Sequence, residues 1–342
     1  MSEEAKDESR HPGNDGAGVM DYDVVVVGGS AAGLSGALAL SRARRRVAVV
    51  DSGEPRNAPA SGVHNYLGRD GSSPAELYAV GRGEVESYGG TIVEGVVENV
   101  VRAGNGSFRV ALQDGTALTC RRVLAASGAL DELPDIPGLE AHWGTDVLHC
   151  PYCHGWEVRD KAIGVVARDL DAAVHQALMW RQWSGDIVLF LNETGEPAED
   201  QARRLAARGV RVVAGAVARI EGEPRLAGVR LASGAFEPRQ ALVVMSRLHA
   251  RADYLAGVGI VPREQHFGEL AVGTAVEADS NGATDVPGVF AAGNLVSPMI
   301  QVVGAASGGL AAATAINAEL IEEETAAAVE AASVDGGKIL QA

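Results

Sequence analysis

From residue 1 to about 19 the chain is polar, carries Gly, Asp and Pro, and shows no apolar period, which is the pattern of a disordered tail. At Tyr22 the pattern changes. Residues 23–27 hold a short, continuous β-branched run, which predicts a strand buried on both faces of a parallel sheet. Residues 28–33 read as a tight turn, 34–43 as an Ala- and Leu-rich helix, and 47–50 as a second buried strand ending at Asp51. Further strands are predicted over 91–101, 107–112 and 122–126. Residues 133–138, with two prolines and a glycine, read as a linker. A second strand–helix unit follows: strand 161–166, turn 167–169, helix through Trp183, strand 187–191. Residues 210–213 and 242–245 add strands to it. Near the end come an apolar strand at 289–292 and a Gly/Ala-rich helix from Gly304 to about Leu320. From Glu322 the pattern is that of a frayed helix and tail. Two such units with the cysteines between them predict an α/β, doubly wound fold with two nucleotide-binding-like domains.

Composition narrows the function classes. The chain has 342 residues, of which 46% are hydrophobic, so a sizeable core is expected. The net charge of −16 argues against nucleic acid and anionic membrane surfaces as partners. The acidic runs near both ends, including Glu322, Glu323 and Glu324, read as solvating surface. The N-terminus is polar and acidic, unlike a signal peptide, and no apolar run approaches the roughly 20 residues that span a bilayer. A soluble cytoplasmic protein is expected, without a membrane partner. There are three cysteines, and in a reducing compartment a close pair is catalytic or metal-binding sooner than structural.

Two motifs carry chemistry. The first is Gly28-Gly29-Ser30-Ala31-Ala32-Gly33, between a buried strand and a helix. Glycine permits the tight turn, a small middle residue lets the backbone approach a pyrophosphate, and Gly33 lets the helix pack on the strand. The helix N-terminus offers unpaired N–H groups to the phosphates. Asp51, at the end of the second strand, stands where an acid accepts hydrogen bonds from an adenosine ribose. A dinucleotide site follows; a plain strand–helix turn is the bland alternative.

The second motif is Cys150-Pro151-Tyr152-Cys153-His154. Haem attachment would require export. Zinc would require more ligands at paired spacing, so no metal is expected. A redox pair requires only two sulfurs close enough to bond and a stabilised thiolate. His154 can serve as acid or base. Cys120 reads as a plain strand residue, and His149 as an incidental neighbour.

With these motifs in order, the chain resembles the thioredoxin reductase-like flavoproteins over about 21–320. The resemblance implies an FAD domain over 21–128 and 247–321, interrupted by a central NAD(P)-domain-like insertion over 129–246 that carries the cysteine pair, with tails at 1–20 and 322–342. It implies that Gly28, Ser30, Ala31, Ala32, Gly33 and Asp51 hold the ADP part of FAD, with Arg56 and Asn57 beside them. Asn65 falls in the family's flavin segment, and Val97 where a backbone contact to adenine is expected. Ala126-Ser127-Gly128 is similar to the family's Ala-Thr-Gly strand end. Gly293-Asn294 stands where the second FAD motif ends in Asp, and Gln301 and Val302 where backbone faces the isoalloxazine. A homodimer is also implied.

Two departures from the family pattern bear on direction. The turn at 167–172 lacks glycine and holds Asp169 and Asp171, and the strand end Leu191-Asn192-Glu193 lacks paired arginines, so NAD(P) binding is doubtful. His154 stands where the reductases have Asp. The string from Cys150 to Glu157 resembles instead the dithiol oxidases of the gliotoxin and holomycin type, which close disulfides in small natural products. The expected reaction is oxidation of a small dithiol by the Cys150–Cys153 disulfide, with electrons passing to FAD and then to oxygen. The alternatives are a disulfide reductase drawing on NADPH or another donor, and a flavin-binding protein without turnover.

Overall fold

A computed structural model describes residues 21–268 and 270–335. Its largest sheet runs in the order Thr91–Glu94, Val47–Asp51, Tyr22–Val27, Ala117–Ala125, Phe108–Leu112, Val97–Arg102. A seventh strand, Val289–Ala291, pairs in parallel with Ala117–Ala125. Tyr22–Val27 is central and parallel to both neighbours. Its side chains alternate between two cores, as a two-faced buried strand must. Val25 and Val27 pack with Phe108, Tyr254 and Leu255, and Val24 and Val26 pack under the helices with Leu34, Ala37 and Ile316.

The helix Ala31–Arg42 lies against the long C-terminal helix Val302–Asp335. Their approach is close enough to require glycine: a Cβ on Gly309 would fall 1.9 Å from the Ala32 carbonyl oxygen. The C-terminal helix continues well past the frayed end expected from Glu322. Its Ala- and Glu-rich composition favours helix, and its acids are not merely solvated. Glu319 and Glu323 pair with Arg122, and Glu324 bridges Arg45 and Arg121. The expected tail at 1–20 and the last residues, 336–342, lie outside the described residues.

A second sheet is wholly parallel, in the order Arg211–Val213, Ile187–Phe190, Ile163–Val166, Ala241–Val244, Val147–Leu148. The helix Leu170–Trp180 covers it and seats Trp180 fully in its core. Two short strands connect the two bodies. Ala129–Glu132 carries the chain out and Arg247–Ala250 brings it back, paired antiparallel. The predicted linker, 133–138, begins where the outbound strand ends.

The strand expected over 91–101 is two strands. Thr91–Glu94 pairs in parallel with Val47–Asp51, whereas Val97–Arg102 pairs antiparallel with Phe108–Leu112. Gly95, at φ 159°, lies between them, and a Cβ there would fall 2.9 Å from Leu112 Cδ2. No helix among the described residues is long and apolar enough to cross a membrane.

Candidate functional site: a cavity joining a helix N-terminus to a cysteine pair

A cavity of about 880 Å³ runs from the first strand–helix turn to the cysteine segment. That is the size of a site for a large ligand, since such pockets span roughly 300–1,000 Å³. Its wall includes Gly28, Ser30, Ala31, Ala32, Asp51, Asn57 and Val97. Ala126, Ser127, Gly128, Gly293, Asn294, Gln301 and Val302 line it too, and so do Arg56, Cys150, Cys153 and His154, with Arg56 close enough for its charge to act on both thiols. Gly33 and Asn65 are not on the wall. Gly33 lies behind the turn, where a Cβ would fall 1.8 Å from the Gly28 carbonyl oxygen, so it permits the helix–strand contact. Asn65, at φ 61°, braces the cysteine segment by donating from Nδ2 to the Tyr152 carbonyl at 2.7 Å.

The residues fit a dinucleotide. Ser30, the N-cap of helix Ala31–Arg42, makes no side-chain capping bond, and the first turn holds no acid. Helices leave their first amides unpaired, so this terminus offers N–H donors and positive potential to the cavity. Asp51 accepts from the Gly29 amide at 3.0 Å through Oδ1. Its Oδ2 stands 3.8 Å from Arg82, which leaves it lone pairs to accept a hydroxyl.

At the other end of the groove, Asn294 explains its departure from the family Asp. Its Nδ2 donates to the carbonyls of Pro298 (2.8 Å) and Ile300 (3.2 Å), with Ser297 at 3.4 Å. A carboxylate has no hydrogen to give these oxygens. Asn294 therefore ties down the loop that leads to Gln301 and Val302. The Ser127 hydroxyl is likewise engaged, with the Arg251 carbonyl at 2.7 Å and the Tyr254 hydroxyl at 2.9 Å, leaving its backbone on the cavity wall.

Cys150 is the N-cap of a single helical turn, Pro151–His154. Both cysteines are free thiols with their sulfurs 2.9 Å apart, Cys153 donating to Cys150. That hydrogen bond, with backbone N–H groups of Cys153 and Tyr152 and the charge of Arg56, lowers the Cys150 thiol to about 7 against the cost of burial. The same bond and burial push Cys153 well up. One sulfur is thus the thiolate and the other its proton-bearing partner. Burial lowers His154, with Glu157 opposing, so its imidazole is neutral at pH 7 and able to take a proton. Cys120 is fully buried in its strand and pushed up to about 12 by burial, which makes it inert.

His149 is on the cavity wall too, stacked on Trp143 and edge-on to His154 at 6.5 Å. Burial and the nearby Arg56 hold it neutral. Its ring contacts are local, with Trp143 and His154, but the Arg56 charge beside it comes from far along the chain, which the motif alone does not show. Among the described residues no His, Cys, Asp or Glu set of three groups as metal ligands.

The second strand–helix unit is built differently. Asp169 caps helix Leu170–Trp180 from its own side chain, accepting the Ala172 amide at 2.9 Å, and Asp171 adds charge to the first turn. Arg168 folds back onto the carbonyls of Glu132 and Met245. Asn192 closes the adjacent strand end, donating to the Ala167 carbonyl and accepting from the Val217 amide. The cavity left beside this terminus is about 10 Å³, the scale of a single water. Asp169→Ala should cost about 1 kcal/mol by removing the cap. A urea-unfolding midpoint indistinguishable from the parent's would contradict the capping role.

Residues 22–309 match the model of the pyridine nucleotide-disulphide oxidoreductase family. A relative from Leptosphaeria maculans, named thioredoxin reductase sirT, is 32% identical over 326 residues, covering 90% of this chain and 96% of its own length. The crystal structure of HlmI superposes with a TM-score of 0.83 at 45% identity, covering 92% of this chain and 96% of that one. An oxidoreductase from Agrobacterium tumefaciens superposes at 0.82 with 38% identity over 88% of this chain and 99% of that one. Thioredoxin reductase-like members of the family use FAD, and the open helix terminus, Asp51 and the thiol pair on one cavity are what such a flavin requires. This chain is therefore an oxidoreductase belonging to the pyridine nucleotide-disulphide oxidoreductase family.

Proposed function

We propose that the protein is an FAD-dependent dithiol oxidase that closes a disulfide in a small molecule. One contrast carries this reading. The helix terminus at Ser30 opens onto the cavity that holds the cysteines, whereas its counterpart at Asp169 is capped by its own carboxylate beside a gap of about 10 Å³. A reductase fed by NADPH needs the second terminus open; an oxidase does not.

In this reading Gly28, Ser30, Ala31 and Ala32 receive the pyrophosphate, with Gly33 supporting the turn, and Asp51 receives the ribose. Asn57 and Val97 flank the adenosine part, and Arg56, set beside them by the family likeness, extends toward the cysteine pair. Ala126, Ser127, Gly128, Gly293, Asn294, Gln301 and Val302 line the way to the flavin ring, and Asn65 steadies the cysteine segment from outside. Bound FAD would supply the acceptor for the pair's two electrons, with oxygen beyond it as the acceptor that yields peroxide.

The chain's own chemistry is thiol exchange. A substrate thiolate attacks Cys150 Sγ of the oxidised pair, forming a substrate–Cys150 bond and breaking the Cys150–Cys153 bond. Neutral His154 takes the proton of the incoming thiol. The second substrate thiolate then attacks the substrate sulfur of the mixed disulfide and expels Cys150. The substrate leaves as a cyclic disulfide, two electrons poorer, and the pair is left as dithiol. Cys150 is the leaving group in that last step, and a thiol with a pKa of about 7 leaves readily. A second copy of the chain is the expected partner, by likeness to the family.

The alternative direction, disulfide reduction, has in its favour the name carried by the Leptosphaeria relative. Oxygen uptake separates the two. With a panel of small dithiols in air, one oxygen should be consumed and one peroxide formed per disulfide closed. Absence of uptake with every dithiol, together with NADPH-driven reduction of a disulfide, would overturn the oxidase reading.

A further inference from the structure

One half-buried charge cluster lies where the two bodies of the protein meet, on the cavity wall that also holds the cysteine pair. Arg56 follows the second strand of the large sheet and lies on the cavity wall. Its Nε donates to Asp131 Oδ2 at 2.6 Å and its Nη2 to Asp131 Oδ1 at 2.8 Å, a two-pronged geometry that fixes a guanidinium in direction as well as distance. Asp131 is in the outbound connecting strand, with its side chain 10% exposed. Ser246, buried just before the return strand, donates to the same Asp131 Oδ1 at 2.6 Å. The three residues come from three distant points of the chain. They can meet only when the large sheet and the two connecting strands have this one relative placement.

We propose that Asp131, steadied by Ser246, is a positioning residue that aims the Arg56 guanidinium at the Cys150–Cys153 pair and fixes the two bodies in that arrangement. The proposal deepens the oxidase reading, since it gives Cys150 the fixed positive charge that a leaving thiolate requires. It also assigns Asp131 and Ser246 a part that no motif marks. The groups that act on Cys150 are Cys153, the backbone N–H groups of Cys153 and Tyr152, and Arg56; His64, His149 and His154 share the cavity wall, and Glu157 acts on His154. Of these, Arg56 is the one whose direction a second residue sets through two hydrogen bonds. Its charge lowers Cys150 and Cys153 and disfavours protonation of His149.

The sign of one measurement decides the matter. Removing a carboxylate that acted only as a nearby negative charge would make the Cys150 thiol more acidic. Removing a carboxylate that aims a guanidinium lets the guanidinium swing to solvent, and the thiol becomes less acidic. The experiment takes the FAD-loaded enzyme, reduced by a phosphine under nitrogen and freed of reductant. Alkylation of Cys150 by iodoacetamide is followed across pH by peptide mass, in the parent, Asp131→Asn and Ser246→Ala. The midpoint should rise by about 0.5–1 pH unit in Asp131→Asn, and rise by less in Ser246→Ala, where the carboxylate keeps its charge and loses one donor. Ser246→Ala decides alone if Asp131→Asn fails to fold. A midpoint that falls, or stays in place in every folded variant, overturns the proposal. Neither substrate nor oxygen is present, so failure of the oxidase reading would leave this result standing, and the reverse.

Discussion

Cys153→Ser should abolish dithiol oxidation, by more than about 10³-fold, while leaving Cys150 the faster-reacting sulfur of the pair. The loss follows from electron balance: a single cysteine cannot form the disulfide that accepts the substrate's two electrons. Cys150→Ser should lose turnover equally, but the remaining thiols should differ. In Cys153→Ser the serine hydroxyl takes the place of the thiol that donates to Cys150 at 2.9 Å, and the backbone donors and Arg56 remain, so Cys150 stays near 7. In Cys150→Ser, Cys153 keeps its burial and lacks the backbone donors that Cys150 has. A thiol two pKa units higher has roughly 50-fold less thiolate at pH 7, and its greater intrinsic nucleophilicity returns roughly tenfold, leaving roughly a fivefold difference. Release of the chromophore from an aromatic disulfide reagent at pH 7 measures it. Faster reaction of Cys153 than of Cys150 would show that the roles are reversed.

Asn294→Asp should weaken FAD binding more than Asn294→Ala does, although aspartate is what the family motif would lead one to place there. The amide donates to carbonyls on the 297–300 loop. Alanine removes those bonds. Aspartate removes them and sets a carboxylate against carbonyl oxygens, a mismatch of about 1–3 kcal/mol or more for a charged group, or roughly 10–100-fold in affinity if the loop's order is needed for binding. Recovery of flavin fluorescence on dilution gives the two dissociation constants. Tighter binding by the aspartate variant would mean that the loop is held by something other than Asn294.

What the sequence made legible is local. The run at 23–27, the turn at 28–33 and Asp51 are joined by one strand–helix–strand period, and their relation is set by backbone geometry. The cysteine spacing is equally short-range, as is the closed second turn, since Asp169 caps the helix that begins at the next residue. The helix Pro74–Ser87 was legible too and went unread: Ser73 accepts the Glu76 amide at 3.2 Å, with proline first in the helix. The connecting strands were not legible. Leu130 is half exposed while the Asp131 side chain is only 10% exposed, which inverts the usual pattern because Asp131 pairs with Arg56, 75 residues away. His149 reads in the sequence as an incidental neighbour of the motif, because the Arg56 charge that helps hold it neutral comes from far along the chain. Asn294 was visible as a departure, but its purpose depended on where the 297–300 loop folds.

The direction of electron flow is the central claim, and stopped-flow reduction of the flavin under nitrogen tests it most directly. A small dithiol should bleach the bound flavin within the turnover time, through the exchange at Cys150 and Cys153, and the Cys153→Ser enzyme should not bleach. NADPH and NADH should leave the flavin oxidised, because the helix terminus at Asp169 is already capped and the space beside it admits about one water. Rapid bleaching by NADPH, with no bleaching by any dithiol, would contradict the account.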